Sequence, residues 1–280
     1  MDRLRARLCT AAALGCAAVA TYGCGDTAAP AAPSAGERLD LGVVGVSARI
    51  GADDVLGSGF VIDGDRGLVL TAAHSIWGAR SLRLSTGLGV LHGRIVARAP
   101  CDDLALLEVH PRIPGLAPLP TAPEGAMEDQ LLRSIGRRHD APAAALASIP
   151  VRTTTVPPSK SPDLPLPSTG VALDSPLVPE LSGGPVVDQA GRLVGMAEAM
   201  GAPGAASPAV AVPWARIRER LDQLRPGPRR IFVGWAQQYR CVGRQHAYAR
   251  AMHPGYRASD ARLDAPIAPT RLPGTEGMDG

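Results

Sequence analysis

Between residues 41 and 109 the chain passes through six short apolar stretches, 41–48, 57–62, 68–72, 81–84, 90–97 and 104–109, separated by clusters of Gly, Asp and Pro. Each is long enough for a strand and too short for a helix that buries a face. This rhythm predicts an antiparallel barrel or sandwich rather than alternating strands and helices. Prolines crowd 111–123, which reads as the connection to a second barrel spanning 131–212. Strands are expected there at 131–135, 145–155, 170–173, 185–187 and 192–197. The proline-rich stretch 156–167 reads as an exposed loop, because proline cannot donate to a central sheet ladder. Residues 214–224 then place Ile217, Leu221 and Leu224 at helical spacing, a packing helix.

Pro179-Glu180-Leu181-Ser182-Gly183-Gly184-Pro185-Val186-Val187 sets a serine in a turn of small residues that runs straight into an apolar strand. Gly183 and Gly184 lack Cβ and admit positive φ, so backbone can approach Ser182 closely, and Pro185 fixes the exit direction. An exposed nucleophile needs this geometry, although an isolated Ser-Gly-Gly-Pro is more often a plain connection between strands. Two upstream stretches change the balance. His74 ends the apolar run 67–74, and Asp102 and Asp103 lead into the apolar run 104–109. A serine hydroxyl is a weak nucleophile until a base takes its proton, and an imidazole does this best when a buried carboxylate fixes its tautomer. His74, Asp103 and Ser182 can fill those three roles.

In the order His, Asp, Ser, these motifs resemble those of the trypsin-like serine proteases of the chymotrypsin fold, most like the bacterial HtrA/Deg-type protease domain. Gly57-Ser58-Gly59-Phe60-Val61-Ile62-Asp63 with Leu70-Thr71-Ala72-Ala73-His74 is similar to the family's glycine-flanked strand and histidine motif. Asp103-Leu104-Ala105-Leu106-Leu107 and Ser182-Gly183-Gly184-Pro185 are similar to its aspartate and serine motifs. Ala209-Val210-Ala211-Val212-Pro213 and the helix after it look like the domain's closing strand and terminal helix. The resemblance covers about 41–225. It implies an all-β fold of two six-stranded antiparallel β-barrels with a C-terminal helix, and a serine endopeptidase acting on protein or peptide substrates through an acyl-enzyme. No peptide-binding PDZ pattern follows the domain, although HtrA enzymes usually carry one.

One departure bears on chemistry. The family has Gly and then Asp or Asn before its serine, whereas this chain has Glu180 and Leu181. The resemblance implies an oxyanion hole of the Glu180 and Ser182 backbone amides. Glycine is favoured at the first of these because a Cβ disfavours the peptide orientation required. A catalytically inactive binding module that keeps the barrels therefore stands as the alternative to an enzyme. Leu181, unlike an acid, cannot pair with a newly cut N-terminus. By resemblance Pro176, six residues before the serine, lines the pocket for the side chain preceding the cut, and Glu198 is expected to reach that pocket as well. With no acid at 176, a small or medium apolar residue is the expected preference.

Outside 41–225 the chain changes character. Arg3, Arg5 and Arg7 precede the apolar stretch 8–20, the pattern of a secretory signal peptide covering 1–24. Thr21-Tyr22-Gly23-Cys24 carries the small residue and cysteine of a bacterial lipoprotein site. Lipidation of Cys24, with membrane attachment, is expected ahead of simple cleavage, and the protein is read as exported to a bacterial cell envelope or secreted. Residues 25–40 read as a small-residue and proline tether. Residues 226–280 hold eight arginines against four acids, with Tyr239, Tyr248 and Tyr256 among them. Such a mixture can contact nucleic acid or anionic lipid. The expectation here is instead a disordered tail, with no nucleic-acid partner. Beyond the leader only Cys101 and Cys241 remain, a pair that an oxidising compartment would allow to bond. The remaining histidines, His92, His110, His139, His246 and His253, are scattered, so neither a metal site nor a cofactor is implied.

Overall fold

In a computed structural model the described residues are 33–123, 131–138, 145–154, 170–199, 209–224 and 235–258. Strands β1 (Val43–Ile50), β2 (Asp53–Asp63), β3 (Leu68–Ala72), β4 (Ser81–Thr86), β5 (Gly89–Ala99) and β6 (Leu104–His110) close into an antiparallel barrel in the order β1-β2-β3-β6-β5-β4. Closure comes through β1, where Val46 faces Gly57 of β2 on one side and Leu84 of β4 on the other. It leaves no free edge in this half of the molecule. Val44, Val46, Val69, Leu84 and Leu107 fill the interior.

The second half is a seven-stranded sheet, not the expected six. β7 (Leu132–Arg137), β8 (Leu146–Val151), β9 (Thr153–Thr154), β10 (Val171–Leu173), β11 (Pro185–Val187), β12 (Leu193–Ala199) and β13 (Ala209–Pro213) run in the order β8-β7-β11-β12-β13-β10-β9. The extra strand has a local cause. Arg152 interrupts the ladder, its amide and carbonyl turned to Asp174. One long strand thus becomes β8 and β9, lying at opposite edges, and the sheet comes close to closing on itself.

The two halves share a core. Phe60, Leu70 and Leu104 of the first barrel meet Ile135, Val187 and Met196 of the second, all at most 1% exposed. Burying each of the larger ones contributes about 1.5–3 kcal/mol. The helix α2 (Trp214–Leu224) adds Ile217 and Leu221 to that core, and the edge of Trp214 meets the Phe60 ring at a centroid distance of 6.3 Å.

Two segments differ from the sequence expectation. Residues 35–42, partly inside the expected tether, form a helix, α1 (Ala35–Gly42). It starts on a capping box: the Ser34 hydroxyl accepts from the Glu37 amide at 3.2 Å, and the Glu37 carboxylate accepts from the Ser34 amide at 2.7 Å. The fully buried Arg137 then ties it down, donating to the Asp40 carbonyl and carboxylate and to the Val43 carbonyl. The larger difference is at the other end. Residues 235–252, expected as disordered tail, form an 18-residue helix, α3 (Trp235–Met252), docked on the first barrel. Cys241 is bonded to Cys101 across 140 residues. In the chain-entropy view, closing so long a loop stabilises the fold by about 4–5 kcal/mol. Beyond the helix Tyr256 packs onto Gly78, where φ is +82° and a Cβ would lie 2.3 Å from the ring. Cys24 and the expected leader lie outside the described residues.

Candidate active site

His74 starts a 3-10 turn, His74–Ile76, directly after β3, and Asp103 stands immediately before β6. Because β3 pairs with β6 through Ala72 and Leu104, the two turns are adjacent. Asp103 holds φ at 53°, a left-handed conformation that Asp tolerates better than most residues. That turn is held from several sides. The Asp103 carbonyl accepts from the Ala73 amide at 2.8 Å, and its Oδ1 accepts from the His74 amide at 2.8 Å. Asp102 pairs with Arg216 and Arg220 of α2, at 3.5 and 2.7 Å. Asp103 Oδ2 then lies 2.5 Å from His74 Nδ1. This contact puts the Nδ1 proton on the side of Asp103 and leaves Nε2 as the acceptor. Ser182 Oγ is 3.2 Å from Nε2. Ser182 and Asp103 are fully buried and His74 is 5% exposed.

The serine turn hangs between both halves of the molecule. The Ser182 carbonyl accepts from the Ser58 amide at 2.8 Å, and the Gly183 amide donates to the Ala197 carbonyl at 2.7 Å. Gly183 has φ +81°, and a Cβ there would lie 2.4 Å from the Ser58 carbonyl oxygen and 2.6 Å from the Ala72 nitrogen, so only glycine fits. This accounts for the Gly57-Ser58-Gly59 stretch as well: it brings β2 backbone against the serine turn. The Ser58 hydroxyl donates to the Glu180 carbonyl at 2.7 Å.

One of the two expected oxyanion amides, that of Ser182, is not free to act in this state. Residues Pro179–Leu181 form a 3-10 turn, and the Ser182 amide donates to the Pro179 carbonyl at 2.9 Å. An amide already paired inside the protein has no hydrogen to offer a substrate oxygen unless that bond opens. Pro179 sits at the first position of the turn, where its lack of an N–H costs nothing.

Pro176 is exposed in the loop after β10. Glu198 departs from its expected place in a pocket: it is fully buried on β12, its Oε2 3.5 Å from His74 Nδ1. Burial, the adjacent Asp103 charge and a bond toward Asp103 hold the Glu198 carboxyl well above the ordinary range, with Ser182 opposing. The Nδ1–H of His74 is directed at Asp103 and neither Glu198 oxygen has a well-formed hydrogen bond, so burial beside the Asp103 charge is the dominant cause and favours the protonated carboxyl. His74, Asp103 and Glu198 form the cluster of metal-ligand types among the described residues, their donor atoms within 4.8 Å. The histidine nitrogen nearest the two acids is already bonded, so the arrangement is that of a hydrogen-bond network.

Four further groups touch the site. Ser75 Oγ lies 3.3 Å from His74 Nε2, competing with Ser182 for one lone pair. The Ala199 amide donates to Ser182 Oγ at 3.1 Å. From α3, Gln245 donates to Asp103 Oδ1 at 2.8 Å, and the edge of Tyr248 meets the His74 ring at 5.4 Å. Cys241, Gln245, Tyr248 and Ala249 do fall at i, i+4, i+7 and i+8, but such a stripe lacks the Leu and Ile that announce a packed face. Chemically, the chain of contacts can move the Ser182 proton to His74 with a carboxylate behind the forming imidazolium.

A family model described as a trypsin-like peptidase domain matches residues 57–196, half of the chain. No curated protein matches it. Among solved structures, Rv3671c protease from M. tuberculosis in its active form is similar over 69% of this chain and 84% of that one, with 21% identity and a TM-score of 0.55. The serine endoprotease from Yersinia pestis matches over 69% and 67%, with 19% identity and a TM-score of 0.53. The HtrA-type protease AlgW, solved with a decapeptide, matches over the same shares with 16% identity and a TM-score of 0.54. At such identities the likeness is one of fold, a chymotrypsin-like pair of β-barrels. The matched stretch runs from β2 to β12 and contains the histidine, aspartate and serine turns, and with it this chain belongs to the trypsin-like peptidase family.

Proposed function

We propose that this protein is an exported serine endopeptidase in which His74, Asp103 and Ser182 are the catalytic residues. The observation that carries the reading is the continuous contact from Asp103 Oδ2 through His74 Nδ1 and Nε2 to Ser182 Oγ. Ser182 Oγ attacks the scissile carbonyl carbon while its proton passes to His74 Nε2. His74 then returns that proton to the leaving amine nitrogen as the C–N bond breaks, which leaves an acyl-enzyme. A water molecule, deprotonated by His74, attacks the ester, and collapse of the second tetrahedral intermediate returns the proton to Ser182. Asp103 holds the imidazole in the required tautomer and stabilises its charged form. The Ser182 and Glu180 amides bind the oxyanion once the Pro179–Glu180 peptide has turned.

The structure is thus read as a resting state, with the acid-base side assembled and the Ser182 amide tied to Pro179. Rv3671c protease, similar in fold, has been solved in an inactive and in an active form. The decapeptide on AlgW supports peptide substrates. Export agrees with the Cys101–Cys241 disulfide, since such bonds persist in oxidising compartments. Attachment to a membrane through a lipidated Cys24 belongs to the same proposal. The second reading, an inactive binding module, draws on the closed oxyanion turn and the full burial of Ser182.

Reaction of the purified protein with a fluorophosphonate probe, with mass mapping of the adduct and Ser182→Ala as control, separates the two. Labelling confined to Ser182 is the expected result. A folded protein that stays unlabelled, both alone and with Glu180→Gly, would reject the enzyme.

A further inference from the structure

We propose that Gln245 of α3 is a positioning residue of the catalytic apparatus, its amide N–H holding the Asp103 carboxylate in the orientation that His74 requires. This rests on the triad reading above. Asp103 uses its two oxygens for different purposes. Oδ2 faces His74 Nδ1, while Oδ1 accepts from the His74 amide at 2.8 Å and from Gln245 Nε2 at 2.8 Å. The backbone donor alone leaves the carboxylate one point of support, and the Gln245 donor supplies a second from the opposite end of the chain. The orientation of the amide is unambiguous. Its other near neighbour, the Pro100 carbonyl at 3.4 Å, is also an acceptor, so the NH2 group must face both.

The rest of α3 serves the same placement. One turn earlier Cys241 is bonded to Cys101, two residues before Asp103. One turn later the Tyr248 ring edge lies against His74. Ala249 and Tyr256 enter the first barrel's core beside Trp77. The helix therefore meets, in successive turns, the cysteine that anchors the aspartate turn, the aspartate itself and the histidine. A helix that only packed would have no need of Gln245. The side chain is fully buried and its Oε1 has no hydrogen-bond partner, so an apolar residue of the same size would be cheaper to bury. The charged and titratable groups around Asp103 are His74, Glu198 from β12 and Asp102, itself paired with Arg216 and Arg220. None of these replaces the Gln245 donor on Oδ1.

The test compares the full-length protein with Gln245→Met, which keeps the volume and removes the donor, and with Val242→Ala, which only loosens packing on the same helix. Peptide hydrolysis, probe labelling and the downfield proton resonance of His74 Nδ1–H are measured on each. For Gln245→Met, kcat is expected to fall about tenfold with KM unchanged, as for loss of a bond to a charged group that matters in the transition state. The resonance is expected to move upfield and exchange faster, while Val242→Ala lowers the melting temperature without either change. Wild-type kcat and an unmoved resonance in Gln245→Met would overturn the proposal. If that variant does not fold, Gln245→Asn, which withdraws the amide by one methylene, is expected to give the same changes in smaller measure, and their absence overturns it equally. Should the wild-type protein neither label nor hydrolyse, the function fails but the resonance still decides. Movement in Gln245→Met supports the positioning role, and an unmoved or missing resonance rejects it.

Discussion

The two halves of the molecule that meet in the site differ in how far they are prepared for chemistry. In the first barrel, the turns carrying His74 and Asp103 are held by backbone bonds, by two arginines on the neighbouring Asp102 and by the disulfide-tied helix α3, and their polar atoms point at one another. In the second, the turn carrying Ser182 satisfies itself: the amide a substrate oxygen would need is donated to Pro179, and the Glu180 carbonyl is held by Ser58. Acid-base geometry costs little to keep permanently built, because a carboxylate and an imidazole neutralise each other's polarity. An oxyanion hole without its oxyanion is a set of buried donors lacking acceptors, which is expensive. Here the chain has closed that gap with its own carbonyl.

The comparison can be broken most sharply at Asp103. Asp103→Asn keeps the shape and removes the charge behind His74, and probe labelling is expected to slow about 10⁴-fold. A loss below tenfold in labelling kinetics would mean that the first-barrel half is not the prepared one. Next comes the second-barrel half. Glu180→Gly removes the Cβ that disfavours rotation of the Pro179–Glu180 peptide, and labelling is expected to accelerate by up to about 10²-fold. An unchanged rate would place the restriction elsewhere in the closed turn.

Glu198→Gln sharpens the contrast by stability. Because burial and Asp103 raise the Glu198 carboxyl, its protonated form belongs to the folded state. The stability it confers is complete below the ordinary carboxylate range and is lost as pH rises toward its raised value. Glutamine has no such dependence. Melting temperatures measured from about pH 5 to 9 should therefore show the variant gaining on the wild type as pH rises, with activity near neutral pH within about twofold. A parallel pair of curves would mean that Glu198 is ionised in the fold. The smallest effect is expected at Ser75. Removing its hydroxyl in Ser75→Ala leaves Ser182 alone at Nε2 and should raise the labelling rate by about two- to threefold. A fall instead would assign Ser75 a part in the relay.

How much of this was legible depends on the range of the interaction. The order of short strands from 43 to 110 follows from apolar runs cut by Gly, Asp and Pro, and each strand is found within a few residues of its expected place. The start of α1 was also written locally, as Ser34 and Glu37 three residues apart, although the small residues around it read as a tether. The three residues proposed as catalytic could be named because each stands in its own short motif. Glu198 could not be assigned correctly, since its position on β12 does not reveal whether the side chain faces a pocket or the back of His74.

What the sequence by itself determined is the set of local preferences: where strands run, where glycine must stand and which turns bear His74, Asp103 and Ser182. The tertiary structure alone decided three things. It turned the Pro179 carbonyl onto the Ser182 amide, sealed Glu198 beside Asp103 and folded α3 back across the barrel to reach the aspartate. The first depends on the rotation of one peptide plane, which residue type biases without fixing. The other two depend on burial and on contacts between residues about a hundred or more positions apart, such as Asp103 with Gln245, whose energy exists only once the intervening chain has folded.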